Sequence, residues 1–409
     1  MSDAVVTPPV VIVGGGQAGA QCALALRQHG FPGAITIIGD EPVVPYERPP
    51  LSKDFLKGVV DRDRLFMRPA EIYAAQNITL RLGETVTALD RAAHLVRLST
   101  GESVPYGKLV LATGGRVRTL AVPGADLAGI HYLRTLAHVD EYRDRLTPGA
   151  RVVMIGGGYI GLEAAAAATV RGCRATVIEA ADRVLARVTA PEVSHFYEQV
   201  HRSRGVEIHT SETVTGFAHS HGVLQVKCGS VSHDADLVII GIGISPNVEL
   251  AHAAGLAVED GIVVDDCTRT ADPDIYAIGD CSNHPSALYG ERQRVESVPN
   301  ALGQGKACAA AILGRPVPFT DVPWFWSDQF DLKLQINGVS RAGDRVVIRG
   351  DMAAQKFSAC YLRDGVLVAC QAVNQTKDFI QSKKLIAARA RPDPTRLADA
   401  TIALKDLEA

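Results

Sequence analysis

The chain has 409 residues, 47% of them hydrophobic and 21% charged, and its formal net charge at pH 7 is −3. This length exceeds what one hydrophobic core usually supports, so two or three domains are expected. The weak negative charge does not favour nucleic acid as a partner, and no apolar run reaches the ~18 residues of a membrane helix. The first apolar run begins at Val10, which leaves no room for a signal peptide, and a cytoplasmic location is the expectation.

The first predicted element is a buried strand over Val10–Val13, followed by a Gly-x-Gly-x-x-Gly fingerprint over Gly14–Gly19 and a helix. The next strand, Ile35–Ile38, ends beside Asp40 and Glu41. Such glycines let backbone N–H groups approach a pyrophosphate, the helix N-terminus stabilises its charge, and the acid binds a ribose hydroxyl. The segment therefore predicts a dinucleotide site.

The same pattern returns further along the chain. A strand over Val152–Ile155 precedes a second fingerprint over Gly156–Gly161, and a strand over Ala175–Ile178 precedes Glu179. Two complete units predict two bound dinucleotides, and the simplest reason to hold two is to pass electrons between them.

After the second unit, a short strand leads to Asp280, and from residue 322 the sequence becomes aromatic and β-patterned before a final helix over Thr376–Ala390. The predicted fold is α/β, with two Rossmann-like domains and a C-terminal α+β domain. The first domain is predicted in two parts, 1–117 and 247–321, the second over 118–246, and the C-terminal domain over 322–409.

Six segments carry a family resemblance: Arg48–Lys53, Leu111–Gly115, Gly156–Glu163, Ile278–Cys281, Glu296–Leu302 and Pro323–Gln329. With these segments the chain resembles the two-dinucleotide flavoprotein reductases of glutathione-reductase-like fold, and among them the ferredoxin reductases of bacterial oxygenase systems. The resemblance implies an FAD-dependent NADH:ferredoxin oxidoreductase. A hydride would pass from NADH to the flavin, and single electrons would then pass to a [2Fe-2S] ferredoxin that supplies a cytochrome P450 or another oxygenase.

The resemblance implies that FAD is bound by residues 1–117, which include the first fingerprint, and by residues 247–321. Asp40 is expected at the ribose, and Glu41 is the alternative. The FAD residues that the resemblance implies are Gly14, Gly16, Ala18, Gly19, Asp40, Glu41, Arg48, Lys53, Val86, Ala112, Thr113, Gly114, Arg134, Asp280, Val298 and Trp326. Among these, Lys53 is placed near the isoalloxazine, where a cation stabilises negative charge on a reduced flavin. The alternative is a surface lysine after a turn.

The second fingerprint is assigned to the nicotinamide dinucleotide. The NAD residues that this implies are Gly156, Gly158, Tyr159, Ile160, Gly161, Glu179, Arg187 and Gly243. A carboxylate at Glu179 accepts hydrogen bonds from ribose hydroxyls and repels a 2′-phosphate, which favours NADH over NADPH. We interpret Arg183 and Arg187 as solvated or adenine-facing residues.

Three residues are candidate catalytic groups: Lys53, Glu163 and Trp326. Glu163 is expected on the first turn of its helix, and the resemblance brings it towards the flavin and Lys53. An equal alternative is that Glu163 has no role at the flavin and is a carboxylate favoured at the helix N-terminus by the helix dipole. Trp326 would contact the flavin, or would pack a domain junction together with Trp324.

The eight cysteines show no spacing typical of a disulfide-exchange pair, and no Cys/His cluster has metal-ligand spacing, so free thiols and no metal are expected. His94, His131, His195 and His201 are expected to be surface or partly buried residues. Residues 333–396 hold 12 Lys and Arg against 5 Asp and Glu. This excess suggests a docking surface for an acidic ferredoxin, bordered by Lys377, Lys383, Lys384, Arg389 and Arg391. A monomer or weak homodimer is expected.

Four other functions stay open: a rubredoxin reductase, a monodehydroascorbate-type reductase, a water-forming NADH oxidase and a redox-sensing flavoprotein of the apoptosis-inducing type. The oxidase is disfavoured because no cysteine occurs between Cys22 and Cys173.

Overall fold

The computed structural model describes residues 7–407 and contains two compact units. The first unit comprises the residues up to Glu47, Leu65–Arg116 and Ser245–Pro323. The second comprises Arg48–Arg64, Val117–Ile244 and the residues from Trp324 onwards.

The elements up to residue 117 are β1 (Val10–Val13), α1 (Gln17–Gln28), β2 (Ile35–Gly39), α2 (Asp54–Lys57), α3 (Ala70–Ala75), β3 (Ile78–Leu82), β4 (Val86–Asp90), β5 (Leu95–Leu98), β6 (Ser103–Pro105), β7 (Lys108–Leu111) and β8 (Gly115–Val117). The elements from 130 to 246 are β9 (Ile130–Tyr132), α4 (Leu136–Asp140), β10 (Arg151–Ile155), α5 (Tyr159–Val170), β11 (Arg174–Ile178), α6 (Pro191–Ser203), β12 (Glu207–His209), β13 (Gly216–Ser220), β14 (Val223–Cys228), β15 (Val231–Ala235), β16 (Leu237–Ile240) and β17 (Ile244–Pro246).

The elements from 249 to 312 are α7 (Glu249–Ala253), β18 (Ile262–Val263), β19 (Ile275–Ala277), β20 (Ser282–Ser286), β21 (Glu291–Gln293) and α8 (Val298–Ile312). The last elements are β22 (Trp324–Gln329), β23 (Leu332–Gly338), β24 (Arg345–Asp351), β25 (Lys356–Arg363), β26 (Val366–Val373), α9 (Thr376–Ala387) and α10 (Pro394–Ala398).

The first unit is built on a parallel sheet of order β19-β7-β1-β2-β3. Its strands are buried on both faces because successive side chains enter two separate apolar clusters: Val10 and Ile12 join one, and Val11 and Val13 the other. Helices α1 and α8 pack together on the first face, and the antiparallel sheet β4-β5-β6 packs on the second.

The second unit repeats this plan with a parallel sheet of order β12-β11-β10-β16-β9. Helix α5 packs on β10 and β11, and the antiparallel sheet β13-β14-β15 shares an apolar cluster with the other face. The two Rossmann-like sheets that the fingerprints predicted are therefore present, one in each unit.

The C-terminal part of the second unit is an antiparallel sheet of order β22-β23-β26-β25-β24 with α9 packed on β23 and β26. This confirms the predicted α+β character. Over residues 7–407, no helix has the length and apolarity needed to cross a membrane.

One segment lies outside its predicted domain. Residues 48–64 were assigned to the first FAD-binding part, but they pack with the second unit, where α2 contacts α5. The reason is a buried polar cluster around Lys53, described below. The three predicted domain boundaries themselves stay predictions.

Candidate functional site

The first glycine turn, residues 14–19, is called the first cradle here, and its outer glycines are required by packing within the first unit. Gly14 has φ +120°, and a Cβ there would lie 2.1 Å from the Ala112 carbonyl oxygen. A Cβ on Gly19 would lie 2.3 Å from the Gly14 carbonyl oxygen. Any side chain at either position would push the turn away from β7 and α1, so the backbone geometry itself selects glycine.

The middle glycine is different. Gly16 precedes α1 with an ordinary φ of −81°, and a Cβ there would meet no protein atom within 4 Å. Neither strain nor packing in the described protein requires glycine here. The open space stands before the N-terminus of α1, where backbone N–H groups and the helix dipole bind a pyrophosphate. The residues of the first cradle therefore fit a dinucleotide.

Several other residues assigned to FAD lie around this cradle. Ala112 packs on Gly14, and a Cβ on Gly279 would approach the Ala18 Cβ to 3.0 Å, which places Asp280 beside the start of α1. Thr113 and Gly114 are held by Asn247: the Thr113 hydroxyl donates to the Asn247 carbonyl at 2.7 Å, and the Asn247 N–H donates to the Gly114 carbonyl at 2.9 Å.

Helix α8, which begins at Val298, packs along α1, and a Cβ on Gly305 would come within 2.9 Å of the Ala18 carbonyl oxygen. The amide oxygen of Gln304 on the same helix accepts hydrogen bonds from the Gly279 N–H at 2.7 Å and from the Ser282 hydroxyl at 2.9 Å. Gln304 was not singled out in the sequence, although it fixes the turn that carries Asp280.

The acids after β2 have different surroundings. Glu41 accepts a hydrogen bond of 2.6 Å from the buried Tyr46 hydroxyl, whereas Asp40 is exposed. Val86, another predicted FAD residue, is buried in the apolar cluster on the face of the sheet away from α1, so its side chain is part of the core. Cofactor contacts of all three residues stay predictions.

The second cradle, residues 156–161, has the same construction inside the second unit. Gly156 has φ +103°, and a Cβ on Gly161 would lie 1.9 Å from the Gly156 carbonyl oxygen. Gly158 precedes α5 with φ −76°, and a Cβ there would meet no protein atom within 4 Å. This cradle fits a second dinucleotide for the same physical reason as the first.

Glu179 follows β11 and reaches into the second cradle. One carboxylate oxygen accepts the Gly157 N–H at 2.6 Å, and the other accepts the Ala181 N–H at 2.8 Å. Each carboxylate oxygen has a second lone pair, so ribose hydroxyls can still bind. The geometry presents a negative acceptor where a ribose is expected.

The other residues assigned to NAD differ in exposure and packing. Ile160 is exposed at 42%, and Tyr159 packs edge-on against Phe325 at 5.1 Å between ring centroids. The Tyr159 hydroxyl is buried without a hydrogen-bond partner among residues 7–407, and burial raises the pKa of Tyr159, which keeps the phenol neutral.

Arg187 is exposed, and its guanidinium lies 3.8 Å from where a Cβ of Gly243 would be. Arg183 differs from the expectation of a solvated or adenine-facing residue. Its guanidinium donates to the carbonyls of Thr189 and Ala186, both at 3.0 Å, and to the Ser194 hydroxyl at 2.5 Å. Arg183 is therefore a structural residue of the loop after β11.

Lys53 and Glu163 form a buried ion pair, with Lys53 Nζ 2.7 Å from Glu163 Oε2. The same oxygen accepts the Ser52 hydroxyl at 2.5 Å, and Glu163 Oε1 accepts the Ser327 hydroxyl at 2.6 Å. Burying a charge is costly unless it is paired and hydrogen-bonded, and this carboxylate has three donors. Lys53 is therefore not the surface lysine of the alternative interpretation.

The helix-dipole interpretation of Glu163 is wrong. Glu163 is the fifth residue of α5, and the first turn of that helix, all of it described, carries no acidic residue. The dipole effect is confined to the first turn, so the carboxylate is held by the buried donors instead.

The polar chain continues beyond Ser327 to a histidine. Gln329 Nε2 donates to the Ser327 hydroxyl at 3.1 Å, and Gln329 Oε1 lies 2.8 Å from His201 Nε2. His201 is fully buried, which corrects the expectation of a surface or partly buried residue. Burial lowers the pKa of His201 to about 4. Ser52 and Ser327 both stand in the segments that carry the family resemblance, but their type alone gave no signal of this role.

The remaining predicted FAD residues also belong to the second unit. Arg48 donates to the Arg134 carbonyl at 2.9 Å. Trp326 alternates with Ser327 along β22 and therefore lies on the opposite face of the strand, where its ring centroid is 5.8 Å from that of Trp324. Flavin contacts of Lys53, Arg48, Arg134 and Trp326 stay predictions.

All eight cysteines lie in the described part of the chain and are free, as expected. Two pairs nevertheless lie close in space. Cys360 and Cys370 face each other on neighbouring strands with sulfurs 3.9 Å apart, and the Cys308 thiol together with burial raises the pKa of Cys22. All four thiols are buried. Sequence spacing missed both pairs because the partners belong to different elements.

Two nucleotide cradles of identical construction in one chain define a dinucleotide-dependent oxidoreductase. Residues 8–305 match the family described as pyridine nucleotide-disulphide oxidoreductase, and residues 324–408 match the family described as reductase C-terminal. The chain belongs to the pyridine nucleotide-disulphide oxidoreductase family, and its cofactors are FAD and NADH.

Similar proteins cover the chain almost completely. Putidaredoxin reductase CamA of Pseudomonas putida is 45% identical over 98% of this chain and 96% of its own length. The ferredoxin reductase subunit of 5,5′-dehydrodivanillate O-demethylase from a Sphingobium strain is 45% identical over 98% of both chains. Among solved structures, the covalent putidaredoxin reductase–putidaredoxin complex matches with a TM-score of 0.95 and 45% identity over 98% of both chains.

Proposed function

We propose that this protein is an NADH-dependent flavoprotein reductase that passes electrons to a [2Fe-2S] ferredoxin serving a cytochrome P450 or another oxygenase. The observation that carries the proposal is the presence of both cradles in a chain that is 45% identical, along 98% of its length, to reductases of this kind. A cytoplasmic location and a monomer or weak homodimer are part of the proposal.

When bound, FAD supplies the conversion between the two-electron chemistry of NADH and the one-electron chemistry of an iron–sulfur protein. The described residues supply binding and electrostatics. The cradles at Gly16 and Gly158 bind the two pyrophosphates, and Glu179 binds a ribose and rejects a 2′-phosphate. Hydride and electron transfer are the chemistry of the cofactors, so no general acid–base residue is needed.

Lys53 is the residue that we assign to flavin electrostatics. Its ammonium pairs with the buried Glu163 carboxylate, and that carboxylate is held in place by the hydroxyls of Ser52 and Ser327. The rigid ion pair costs no reorganisation when negative charge develops nearby. The assignment rests on the family resemblance together with this geometry.

The partner surface is proposed on the C-terminal domain. Lys377, Lys384, Arg389 and Arg391 are exposed, whereas Lys383 is half-buried. Arg349 is buried against Asp378 at 3.0 Å, and because this pair removes one charge of each sign, the charge excess of residues 333–396 is unchanged. The four exposed cations still provide a surface that attracts an acidic partner.

The test is NADH-dependent cytochrome c reduction by the purified yellow protein, with and without a panel of [2Fe-2S] ferredoxins. Strong stimulation by one ferredoxin is expected. Stimulation by rubredoxin alone, or turnover of the monodehydroascorbate radical, would contradict the ferredoxin assignment. A slow, long-lived charge-transfer complex with NADH would instead indicate a redox-sensing flavoprotein.

A paired variant tests the surface. Lys377→Glu/Lys384→Glu is expected to raise the ferredoxin KM about tenfold at low salt and to leave the NADH KM unchanged. Lys227→Glu/Lys306→Glu, at exposed positions outside the C-terminal domain, is the charge-matched control. An equal rise for both variants would contradict the docking surface.

A further inference from the structure

Two histidines and a glutamate converge in the second unit, in a place that the dinucleotide chemistry does not use. His209 ends β12, Glu212 follows three residues later, and His233 lies on β15. One ligand atom from each residue lies within 4.8 Å of those from the other two. Their separation in the sequence gave no metal-ligand spacing, and only the packing of β15 beside the end of β12 assembles the group.

The side chains of the three residues lie close to one another. His233 Nε2 lies 2.7 Å from Glu212 Oε1, and His209 Nδ1 lies 3.5 Å from Glu212 Oε2. The two imidazole rings are 4.6 Å apart between centroids and inclined by 58°. Neither ring stacks flat on the other, so both can direct a nitrogen towards the carboxylate.

The surroundings hold this arrangement in place. The Glu212 N–H donates to the Glu179 carbonyl at 3.0 Å, and the Glu179 N–H donates to the His209 carbonyl at 2.8 Å. The backbone on both sides of the loop is therefore tied to β11. The side chains of His233 and Glu212 are only 13% and 18% exposed, whereas that of His209 is 38% exposed, which leaves an entry path on one side.

Hydrogen bonds do not satisfy every polar atom of the three side chains. His209 Nε2 is buried and has no hydrogen-bond partner among residues 7–407, and a carboxylate oxygen of Glu207 is 3.9 Å away. A ligating histidine usually donates its second ring N–H to a carboxylate. If His209 ligates through Nδ1, then Glu207, an exposed and adjustable side chain, provides that partner.

We propose that His209, Glu212 and His233 form a binding site for a divalent transition-metal ion such as Zn²⁺. Two imidazole nitrogens and one carboxylate oxygen are a ligand set suited to zinc, which takes four ligands in a tetrahedron. A water molecule supplies the fourth ligand. Cys228 is a buried neighbour of Glu212, and the converging group of ligand atoms does not include its sulfur.

The site is separate from the proposed NADH chemistry. The Glu179 carboxylate points to Gly157 and Ala181, and only its backbone meets the loop of the metal site. The proposal is therefore independent of the electron-transfer function, and its test does not use enzyme activity.

The experiment is isothermal titration of ZnCl₂ into the FAD-loaded protein after chelator treatment, together with the shift in Tm caused by zinc. Wild type is expected to bind one equivalent and to gain thermal stability, since a ligand that binds only the folded state stabilises it. Glu212→Gln and His233→Gln nearly preserve side-chain volume. Each is expected to weaken zinc binding by more than ~10–100-fold, which is the cost of losing a residue that only hydrogen-bonds to a metal ligand.

Three control variants keep the proposal falsifiable. His219→Ala removes an exposed histidine from the same small sheet, Cys228→Ser removes the neighbouring thiol, and Cys267→Ser disrupts a second cluster with Asp265 and Asp266. All three are expected to bind zinc as wild type does. Zinc binding that survives Glu212→Gln and His233→Gln, or that depends on Cys267 or Cys228 instead, would overturn the assignment.

Discussion

The two cradles of this protein have the same glycine geometry but differ in the acid that follows them. Gly14 and Gly156 both have a positive φ. The Gly14 N–H donates to the Ile38 carbonyl of β2 at 2.7 Å, and the Gly156 N–H donates to the Ile178 carbonyl of β11 at 2.8 Å. By this register, Gly39 occupies the position of Glu179. A Cβ on Gly39 would come within 3.2 Å of Gly15, so that site has little room for a side chain.

The difference shows that glycines and acids are selected by different forces. Backbone sterics select the outer glycines, and they act identically in both units. The position of the acid depends on the space beside each cradle. Glu179 directly follows β11 and enters the second cradle, whereas in the first unit Gly39 takes that position and Asp40 comes one residue after it. The first helix has Gln21 where the second has Glu163, and only the second carries a buried ion pair.

Loss of the buried ion pair between Lys53 and Glu163 is expected to have the greatest consequence. Lys53→Met leaves the Glu163 carboxylate buried without its counterion and is expected to lower the free energy of unfolding of the second unit by about 3–5 kcal/mol. Gln21→Met, at the matching position of the first helix, is the control and is expected to cost far less. Urea unfolding followed by circular dichroism measures both. Equal midpoints for the two variants would contradict the buried-charge argument.

The pH dependence compares a buried histidine in each unit. Burial lowers the pKa of His201 and of His284 to about 4 from the ordinary 6.5. The unfolded chain therefore binds more protons, so this stability is complete above pH 6.5 and is lost as pH falls towards 4. At 1.36 kcal/mol per pKa unit, each histidine is expected to contribute about 3 kcal/mol to that loss.

His201→Gln and His284→Gln are each expected to flatten the fall in unfolding free energy between pH 6.5 and 4. His195→Gln, at an exposed position, is the control. A slope unchanged in the first two variants would show that these histidines titrate normally in the folded protein.

The middle glycines provide a direct comparison of the cradles. Gly16→Ala and Gly158→Ala introduce a methyl group that meets no protein atom, so both variants are expected to fold. The methyl blocks close approach of a pyrophosphate to the N–H groups, and losing one or two charged hydrogen bonds of ~1.5–3 kcal/mol weakens binding about a hundredfold. Flavin retention measures the first variant, and the NADH dissociation constant measures the second. Loss of the same nucleotide in both variants would contradict the assignment of the cradles.

Substitution of the acids assigned to the riboses is expected to have a weaker consequence. Glu179→Ala removes a charged hydrogen-bond acceptor and is expected to raise the NADH KM about 10–30-fold. It is also expected to reduce the preference for NADH over NADPH, because the repulsion of a 2′-phosphate is lost. Asp40→Asn is the control and is expected to leave both nicotinamide values unchanged. If Glu179→Ala has no effect on the ratio of NADH to NADPH use, the ribose assignment is wrong.

Features that depend on local chain geometry were predictable from the sequence. The strands over Val10–Val13 and Arg151–Ile155, both fingerprints and the antiparallel C-terminal sheet are all present, because apolar periodicity and glycine stereochemistry act over a few residues. The position of Glu179 at a strand end is equally local.

Contacts between side chains that are distant in the sequence depend on the packing of the folded chain. Glu163 gains its three donors from segments 110 and 164 residues away, and His209 meets His233 only through strand packing. The same holds for the buried state of His201 and for the placement of residues 48–64 in the second unit. Such contacts leave no periodic signal in the chain, because burial and charge pairing are properties of the assembled core.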